Sequence, residues 1–467
     1  MALTPVLAEK LDDTLAKPET PGVRRDAVLP VIANKVHAVT GMRRAGKTTF
    51  LHQLRADRLP VQGAERTPYL SFDDDRLADL PLSQLSELLE EYYRRFPEFR
   101  QQQTVTWFLD EIQLVQGWER FVRRLLDTEK VEIIVSGSSS KMLSREVHTS
   151  LRGRGIETRI RPFSFREFLR FRDLEPLRPA RTSGSAARSR LEKAFAEFLQ
   201  IGGFPEAQSL PREVRLPLLQ GYVDTVLLRD VIERHGVSQV AALRWITRQL
   251  LKNPGSSFSV HRLVQDLRSQ GLGIGKDDLH ALVDHIEDAF LIRSVKLATE
   301  SERQRNSNPR KVYPVDQGMI DAFDSSGRTN SGHALETIVL HELDRRGASE
   351  VGYVKTAEGF EVDFLARFYD GRQELIQVCA DINDPQTLQR EVRALQAAAK
   401  DHPRAALRIL TGTLATSPVG VPDDIAIEPT WRWLLDDRAE AQLKPGAKRP
   451  PRKPPRSGRK QTITSTA

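Results

Sequence analysis

The chain carries a single cysteine, Cys379, among 467 residues. It can therefore form no internal disulfide and no cysteine-based zinc site, as expected of a protein kept in a reducing compartment. No stretch approaches the roughly 18 consecutive apolar residues of a membrane span. The start, MALTPVLAEKLDDTLAKP, has acids where a secretory leader has a basic stretch followed by an apolar one. These absences exclude a disulfide-stapled secreted module and a helical membrane protein, and they predict a cytoplasmic protein. No internal repeat is present either. Hydrophobic content of 39% and aromatic content of 7% are ordinary for globular proteins. One core cannot serve the whole length, because single cores stop growing near about 250 to 300 residues, so two or three domains are expected.

Acid is missing from one region in particular. The net charge is +7, yet Lys444, Lys448, Arg449, Arg452, Lys453, Arg456, Arg459 and Lys460 follow residue 441 with no Asp or Glu among them. Without those eight charges the remainder stands at 7 − 8 = −1. The net charge is therefore a property of the tail. KRPPRKPPRSGRK is Pro-rich and nearly free of apolar side chains, which predicts a disordered, partly polyproline-like arm over 437–467. Such an arm can hold the phosphate backbone of DNA without reading sequence, or it can act as a solubilising tail.

What is present begins with GMRRAGKTTF at residues 41–50. It contains G-x-x-x-x-G-K-T (the Walker A pattern), follows the apolar run VHAVT and precedes a segment with helical spacing. A glycine-rich loop between strand and helix turns backbone N–H groups toward one point, where the helix N-terminus adds roughly half a positive charge. Gly41, Met42, Arg43, Arg44, Ala45, Gly46, Lys47, Thr48 and Thr49 are the expected phosphate cradle, with Lys47 reaching the outer phosphates and Thr48 ligating magnesium. VTWFLDEIQ is an apolar strand ending in paired acids (Walker B). Asp110 is expected to hold Mg2+, directly or through water, and Glu111 to polarise the attacking water, which is nearly all that phosphoryl transfer asks of a protein. TPYLSF intervenes in the chain between the two motifs, the extra strand of the ATPase branch. No N/T-K-x-D guanine-reading motif occurs, so ATP is the expected nucleotide. Of the serines in VSGSSS (Ser136, Ser138, Ser139), Ser138 is the expected sensor of the γ-phosphate. Arg152 and Arg154 in LRGRG are candidates for a charge reaching that phosphate in cis or in trans. Asp73 to Arg76 (DDDR) reads as a strand cap.

The alternation VHAVT, helix, TPYLSF, helix, VTWFLDEIQ, helix, VEIIVSGSSS and ETRIRPFSF predicts an α/β fold with a parallel sheet covered on both faces. The expected division is an N-terminal extension over 1–24, an ATP-binding domain over 25–170, a loop or hinge over 171–190, a helical domain with winged-helix outline over 191–300, an α/β domain over 301–436, and the tail.

The series GMRRAGKTT, FLDEIQ followed by GWE, SGSSS, LRGR followed by RPFSFREFL, then GGFPE and LLRDVIERHGV resembles the uncharacterised prokaryotic AAA-type ATPases related to the archaeal ATPase and STAND groups. The resemblance covers residues 20 to 436. It implies an AAA-type P-loop domain with Gly41 to Thr49, Asp110 and Glu111 in the usual roles, a winged helix, and a C-terminal domain of unknown function. It implies no substrate. The C-terminal segment is similar to restriction-endonuclease-like folds, in which a helix glutamate, a strand aspartate and a (D/E)-x-K triplet form the site. Glu336 and Asp363 stand in the first two places. The triplet is Gln377-Val378-Cys379, without a second carboxylate or a lysine, and Glu361 is the nearest substitute. A degenerate nuclease site is expected, with Cys379 a small packed residue. The expected activity is that of an ATPase switch acting on DNA, on a protein partner or on a second copy. A nucleotide-gated scaffold or regulatory binding protein with negligible hydrolysis is the alternative, and an active metal-dependent nuclease is the least favoured reading.

Overall fold

Every residue of VHAVT is buried in β1 (Val36–Thr40), and every residue of VTWFLD in β3 (Val105–Asp110). Strands this uniformly apolar belong where both faces of a sheet are covered. The structure, a computed structural model, describes residues 3–14, 22–138, 151, 153–176, 184–324, 331–412 and 420–436. Together with β2 (Tyr69–Ser71), β4 (Val131–Gly137) and β5 (Gly155–Arg159), the two strands form a five-stranded sheet in the order β2-β3-β4-β1-β5, every pairing parallel.

Side chains alternate between its faces. Val39, Phe108 and Ile134 pack against Phe50, Leu51 and Leu54 of α2 (Lys47–Gln62). Ala38, Trp107, Leu109, Ile133 and Val135 face the other way, toward α1 (Pro5–Asp13), α3 (Leu82–Arg95) and α4 (Trp118–Thr128). Trp107 and Trp118 are fully buried in that layer, each contributing on the order of 3 kcal/mol of transfer free energy. The segment expected as an extension puts Leu7 and Leu11 of α1 into this core. TPYLSF does precede the acidic strand in the chain, but β2 lies at the sheet edge; the strand standing between β1 and β3 is β4. Helical crossovers are long enough to let the chain skip a neighbour.

RPFSFREFL leaves the sheet through α5 (Phe165–Phe171), begun by a capping box in which Ser164 and Glu167 exchange hydrogen bonds with each other's backbone. The expected break at 171–190 is partly helical, because α6 (Ser185–Ile201) starts within it. α7 (Arg212–Val226) runs into a π-helical stretch, Leu227–Ile232, and α8 (Val240–Lys252) follows. GGFPE lies between α6 and α7, and its glycines are required sterically. A Cβ on Gly202 would lie 2.0 Å from Asp316 Oδ1, and one on Gly203 2.4 Å from the Phe163 carbonyl oxygen. In return Asp316 accepts from the N–H groups of Gly203 (2.6 Å) and Gly318 (2.9 Å), and Phe163 N–H donates to Gly203 O (2.7 Å). Burial pushes the Asp316 carboxyl up to about 6.

Next come β6 (Ser257–Phe258), α9 (Val260–Ser269), α10 (Lys276–Asp288), β7 (Ile292–Leu297), the short α11 (Glu302–Ser307) and β8 (Arg310–Pro314), with β8 antiparallel to both β6 and β7. α12 (Gly318–Phe323) and α13 (Ser331–Arg345) lead to β9 (Ala348–Lys355), β10 (Glu361–Phe368) and β11 (Gln373–Cys379). α14 (Pro385–Asp401), β12 (Ala406–Thr411), β13 (Ile425–Pro429) and α15 (Thr430–Leu434) complete the described chain. β7 runs parallel to β9, so these strands make one eight-stranded sheet, β13-β12-β11-β10-β9-β7-β8-β6. The division expected at residue 300 therefore falls between β7 and β8, two hydrogen-bonded strands.

Candidate functional site

Residues 41–49 join β1 to α2 through backbone that few side chains tolerate. Gly41, Arg44 and Gly46 have φ of 146°, 66° and 96°, and a Cβ on Gly41 would lie 2.1 Å from the Ile160 carbonyl oxygen. Phe50 N–H makes the first i to i−4 bond of α2, to Gly46 O at 3.0 Å. The N–H groups just before it have no partner within the helix, as at any helix N-terminus. Arg25 supports the loop from behind: its guanidinium donates to Ala45 O (2.9 Å), pairs with Glu167 (3.0 Å) and lies over the Phe163 ring. The Met42 side chain is buried among helical-segment residues such as Phe204, Leu227 and Val231, so only its backbone can serve a ligand.

Lys47 is 5% exposed. Its ammonium donates to Gly41 O (3.1 Å) and Met42 O (3.3 Å) and lies 3.7 Å from Glu111. The Thr48 hydroxyl donates to Asp110 Oδ2 at 2.8 Å across 62 residues of chain, and Tyr69 OH donates to the same oxygen at 2.8 Å. Ser136 donates to Asp110 Oδ1 and accepts from Glu111 N–H at 3.0 Å. Asp110 is thereby fixed by three hydroxyls at a buried position. Glu111 adopts left-handed φ of 53°, a conformation costing on the order of 1 kcal/mol in a non-glycine residue, and Gln113 donates to its carboxylate.

Ser138, at the end of β4, is buried, and its hydroxyl donates to Asp230 Oδ1 at 3.0 Å. Arg43 reaches the same carboxylate through Nε (2.8 Å) and Nη2 (3.3 Å). Burial opposes charge on the Arg43 guanidinium, but its bonds to Asp230, with help from Glu111 and Asp73, raise its pKa above the ordinary value. Arg154 is elsewhere. It precedes β5, whose first residue pairs with Val36 and whose last, Arg159, pairs with Thr40 beside the loop. At about 3.3 Å per residue, the five residues from Arg159 back to Arg154 put it roughly 16 Å from the loop end, ion-paired with Asp127, which corrects the expectation of a contact in cis. Arg159 lines a cavity of about 400 Å³ together with Gly41, Met42, Phe290 and Arg293. Ser139, Arg152 and the tail over 437–467 lie outside the described residues. Asp74 of DDDR caps the turn after β2 by accepting from Arg76 N–H.

A second polar cluster is buried in the larger sheet. Lys311, 4% exposed on β8, lies 2.8 Å from Glu361 and 3.2 Å from Asp363. Asp363 also accepts from Val378 N–H (3.0 Å), and its own N–H donates to Gln377 (3.3 Å). Tyr313 OH donates to Glu336 at 2.9 Å. Burial and the nearby Asp363 push the Glu336 carboxyl up to about 8. The expectation that no lysine stands here is thus corrected: the lysine comes from β8, not from the triplet strand. Cys379 is half-buried and donates to Asp381 O, and burial pushes its thiol up, away from thiolate. Among the described residues no group of three or more His, Cys, Asp or Glu is arranged to hold a metal ion.

Tyr69, Arg25, Asp230 and Lys311 were not legible as site residues, and Ser136, named among the serines of VSGSSS, was not expected to bind Asp110. Asp230 does lie within LLRDVIERHGV, one of the segments that carry the family resemblance. A family model described as AAA domain matches residues 33–169, and one described as a domain of unknown function (DUF8612) matches residues 192–330. The chain is 33% identical over 423 residues to "Uncharacterized protein MJ1544" of Methanocaldococcus jannaschii, covering 88% of this chain and 91% of that one. It is 29% identical over 340 residues to an uncharacterized protein of Haemophilus influenzae, covering 72% and 80%. Among solved structures, a Walker-type ATPase of Pyrococcus abyssi aligns at a TM-score of 0.38 with 14% identity, over 68% of this chain and 95% of that one. That likeness is too slight to argue from.

Proposed function

The chain belongs to the family of uncharacterized protein MJ1544 and carries an AAA domain at residues 33–169, and from that premise we propose an ATPase switch: Mg-ATP binding and hydrolysis at the loop reposition the helical and C-terminal segments against a partner. The observation that carries this reading is the meeting of Thr48 with Asp110 at 2.8 Å, with Lys47 and Glu111 beside them. Two motifs 62 residues apart converge as phosphate chemistry needs them to. Backbone N–H groups of residues 41–49 and the Lys47 ammonium hold phosphate oxygens. Magnesium would be held by Thr48 and Asp110, where it neutralises charge on the phosphates. Glu111 orients and polarises the attacking water. Ser138 is the sensor, and Arg154 serves only in trans, if a second copy presents it. In the Glu111→Gln protein, phosphate release should fall by about 100-fold or more while ATP binding persists. Hydrolysis at the wild-type rate in that variant would remove Glu111 from its role.

Within 191–314 the order helix, strand, two helices and a two-stranded hairpin supports a winged helix that packs and does not read DNA. Its third helix, α10, carries Asp277, Asp278, Asp284, Glu287 and Asp288, charges that repel a phosphate backbone. Its hairpin strand β7 is already paired to β9. DNA contact, if any, falls to the basic tail. The order α13-β9-β10-β11-α14-β12 supports a restriction-endonuclease-like domain. With Gln377 and Cys379 in the triplet and the Lys311 ammonium among the carboxylates, we take it as a docking domain without cleavage activity. A nucleotide-gated scaffold with negligible turnover is the second reading. It is favoured by one observation: the Ser138 hydroxyl and the Nε edge of Arg43 are both engaged by Asp230.

A further inference from the structure

Arg43 and Ser138 come from separate motifs of the nucleotide-binding module, yet both donate to a carboxylate that belongs to neither. Asp230 lies within the π-helical stretch Leu227–Ile232, and such stretches are uncommon and favour functional positions. Its side chain is 1% exposed, so protein donors answer its charge: Arg43 at 2.8 and 3.3 Å, Ser138 at 3.0 Å, and Arg234 at 3.6 Å. The same stretch is joined to the loop a second way, since Leu227 and Val231 belong to the hydrophobic cluster that includes Met42.

A hydroxyl has one proton to donate. While Ser138 gives it to Asp230, it cannot give it to a phosphoryl oxygen, and the Nε edge of Arg43 is taken in the same way. A carboxylate and a terminal phosphate are both anionic acceptors. At a buried position they repel each other and compete for the same donors. ADP lacks the group that would compete.

Building on the reading of the loop as an ATP site, we propose that Asp230 is the residue by which this protein tells ATP from ADP. Its carboxylate holds Arg43 and Ser138 when the terminal phosphate is absent. The terminal phosphate takes those donors over and releases the stretch around Asp230, so that the helical segment senses which nucleotide is bound.

The test is amide hydrogen exchange at residues 227–235 of the full chain, with Mg-ADP and with a non-hydrolysable Mg-ATP analogue, nucleotide retention being measured in the same samples. Exchange should be about fivefold faster with the analogue than with ADP. Asp230→Asn should exchange at the faster rate with either nucleotide and bind the analogue about tenfold more tightly, with ADP affinity little changed. Ser138→Ala, which leaves the stretch itself intact, should shrink the difference between the two nucleotides. Retained analogue with equal exchange in both states overturns the proposal alone, as does an Asp230→Asn protein that still separates the two nucleotides. Failure to retain either nucleotide overturns the ATP-site reading, and this proposal with it.

Discussion

At the scale of single residues, the loop over 41–49 and the acids of β3 could be read from the sequence as a candidate site because phosphate chemistry asks for fixed local spacings, glycine to lysine and Asp110 to Glu111. Asp230 and Lys311 obey no such spacing. Asp230 meets Arg43 across 187 residues and Lys311 meets Asp363 across 52, and only the fold brings them together. The carboxylate cluster yields a pH prediction. The Glu336 carboxyl, pushed from 4.5 to about 8 chiefly by burial and then by Asp363, keeps its proton in the native state. The unfolded chain loses that proton above its ordinary pKa, so the native state binds more protons between about pH 4.5 and 8, and stability must fall as pH rises through that window. Glu336→Gln, which keeps the shape without the charge, should be nearly neutral at pH 5 and stabilising by a few kcal/mol at pH 8.5. Urea midpoints of both proteins at the two pH values check this. An unchanged difference between the proteins would show that Glu336 is ionised in the native state.

At the scale of elements, strands buried on both faces announced themselves by unbroken apolar runs: four strands of the first sheet lie within VHAVT, TPYLSF, VTWFLDEIQ and VEIIVSGSSS, whereas β5 (Gly155–Arg159) begins two residues before the expected ETRIRPFSF and keeps only its first three residues. Their order in space was less visible. A helical crossover leaves open which neighbour a parallel strand joins, so the position of β4 between β1 and β3 came only with the structure. GGFPE could be read as a turn but not as a junction. Gly203 packs its Cα against the backbone of Phe163, and Asp316 binds its N–H. Gly203→Ala must push that backbone aside and should destabilise the chain by about 3 kcal/mol. Gly332→Ala, inside α13 with nothing within 4 Å of the added Cβ, should be neutral or stabilising by up to about 1 kcal/mol. Equal unfolding midpoints for the two variants would mean that the turn yields freely.

At the scale of the whole molecule, composition shifts suggested separable units. The larger sheet joins two of them through the pairing of β7 with β9, a long-range contact that no local pattern encodes. The Asp230 contact ties the helical segment to the loop over 41–49 in the same way. A ligand settling on residues 41–49 thus acts on a surface already shared with the segments that follow, which is what a switch requires. All of this depends on the loop taking up a nucleotide. The most direct measurement is a calorimetric titration of the full chain with Mg-ATP, repeated on Lys47→Ala. The account predicts one saturable site per chain, weakened about 100-fold when the ammonium is removed. No binding to the wild-type protein at millimolar Mg-ATP, or equal affinity in the two proteins, would contradict it.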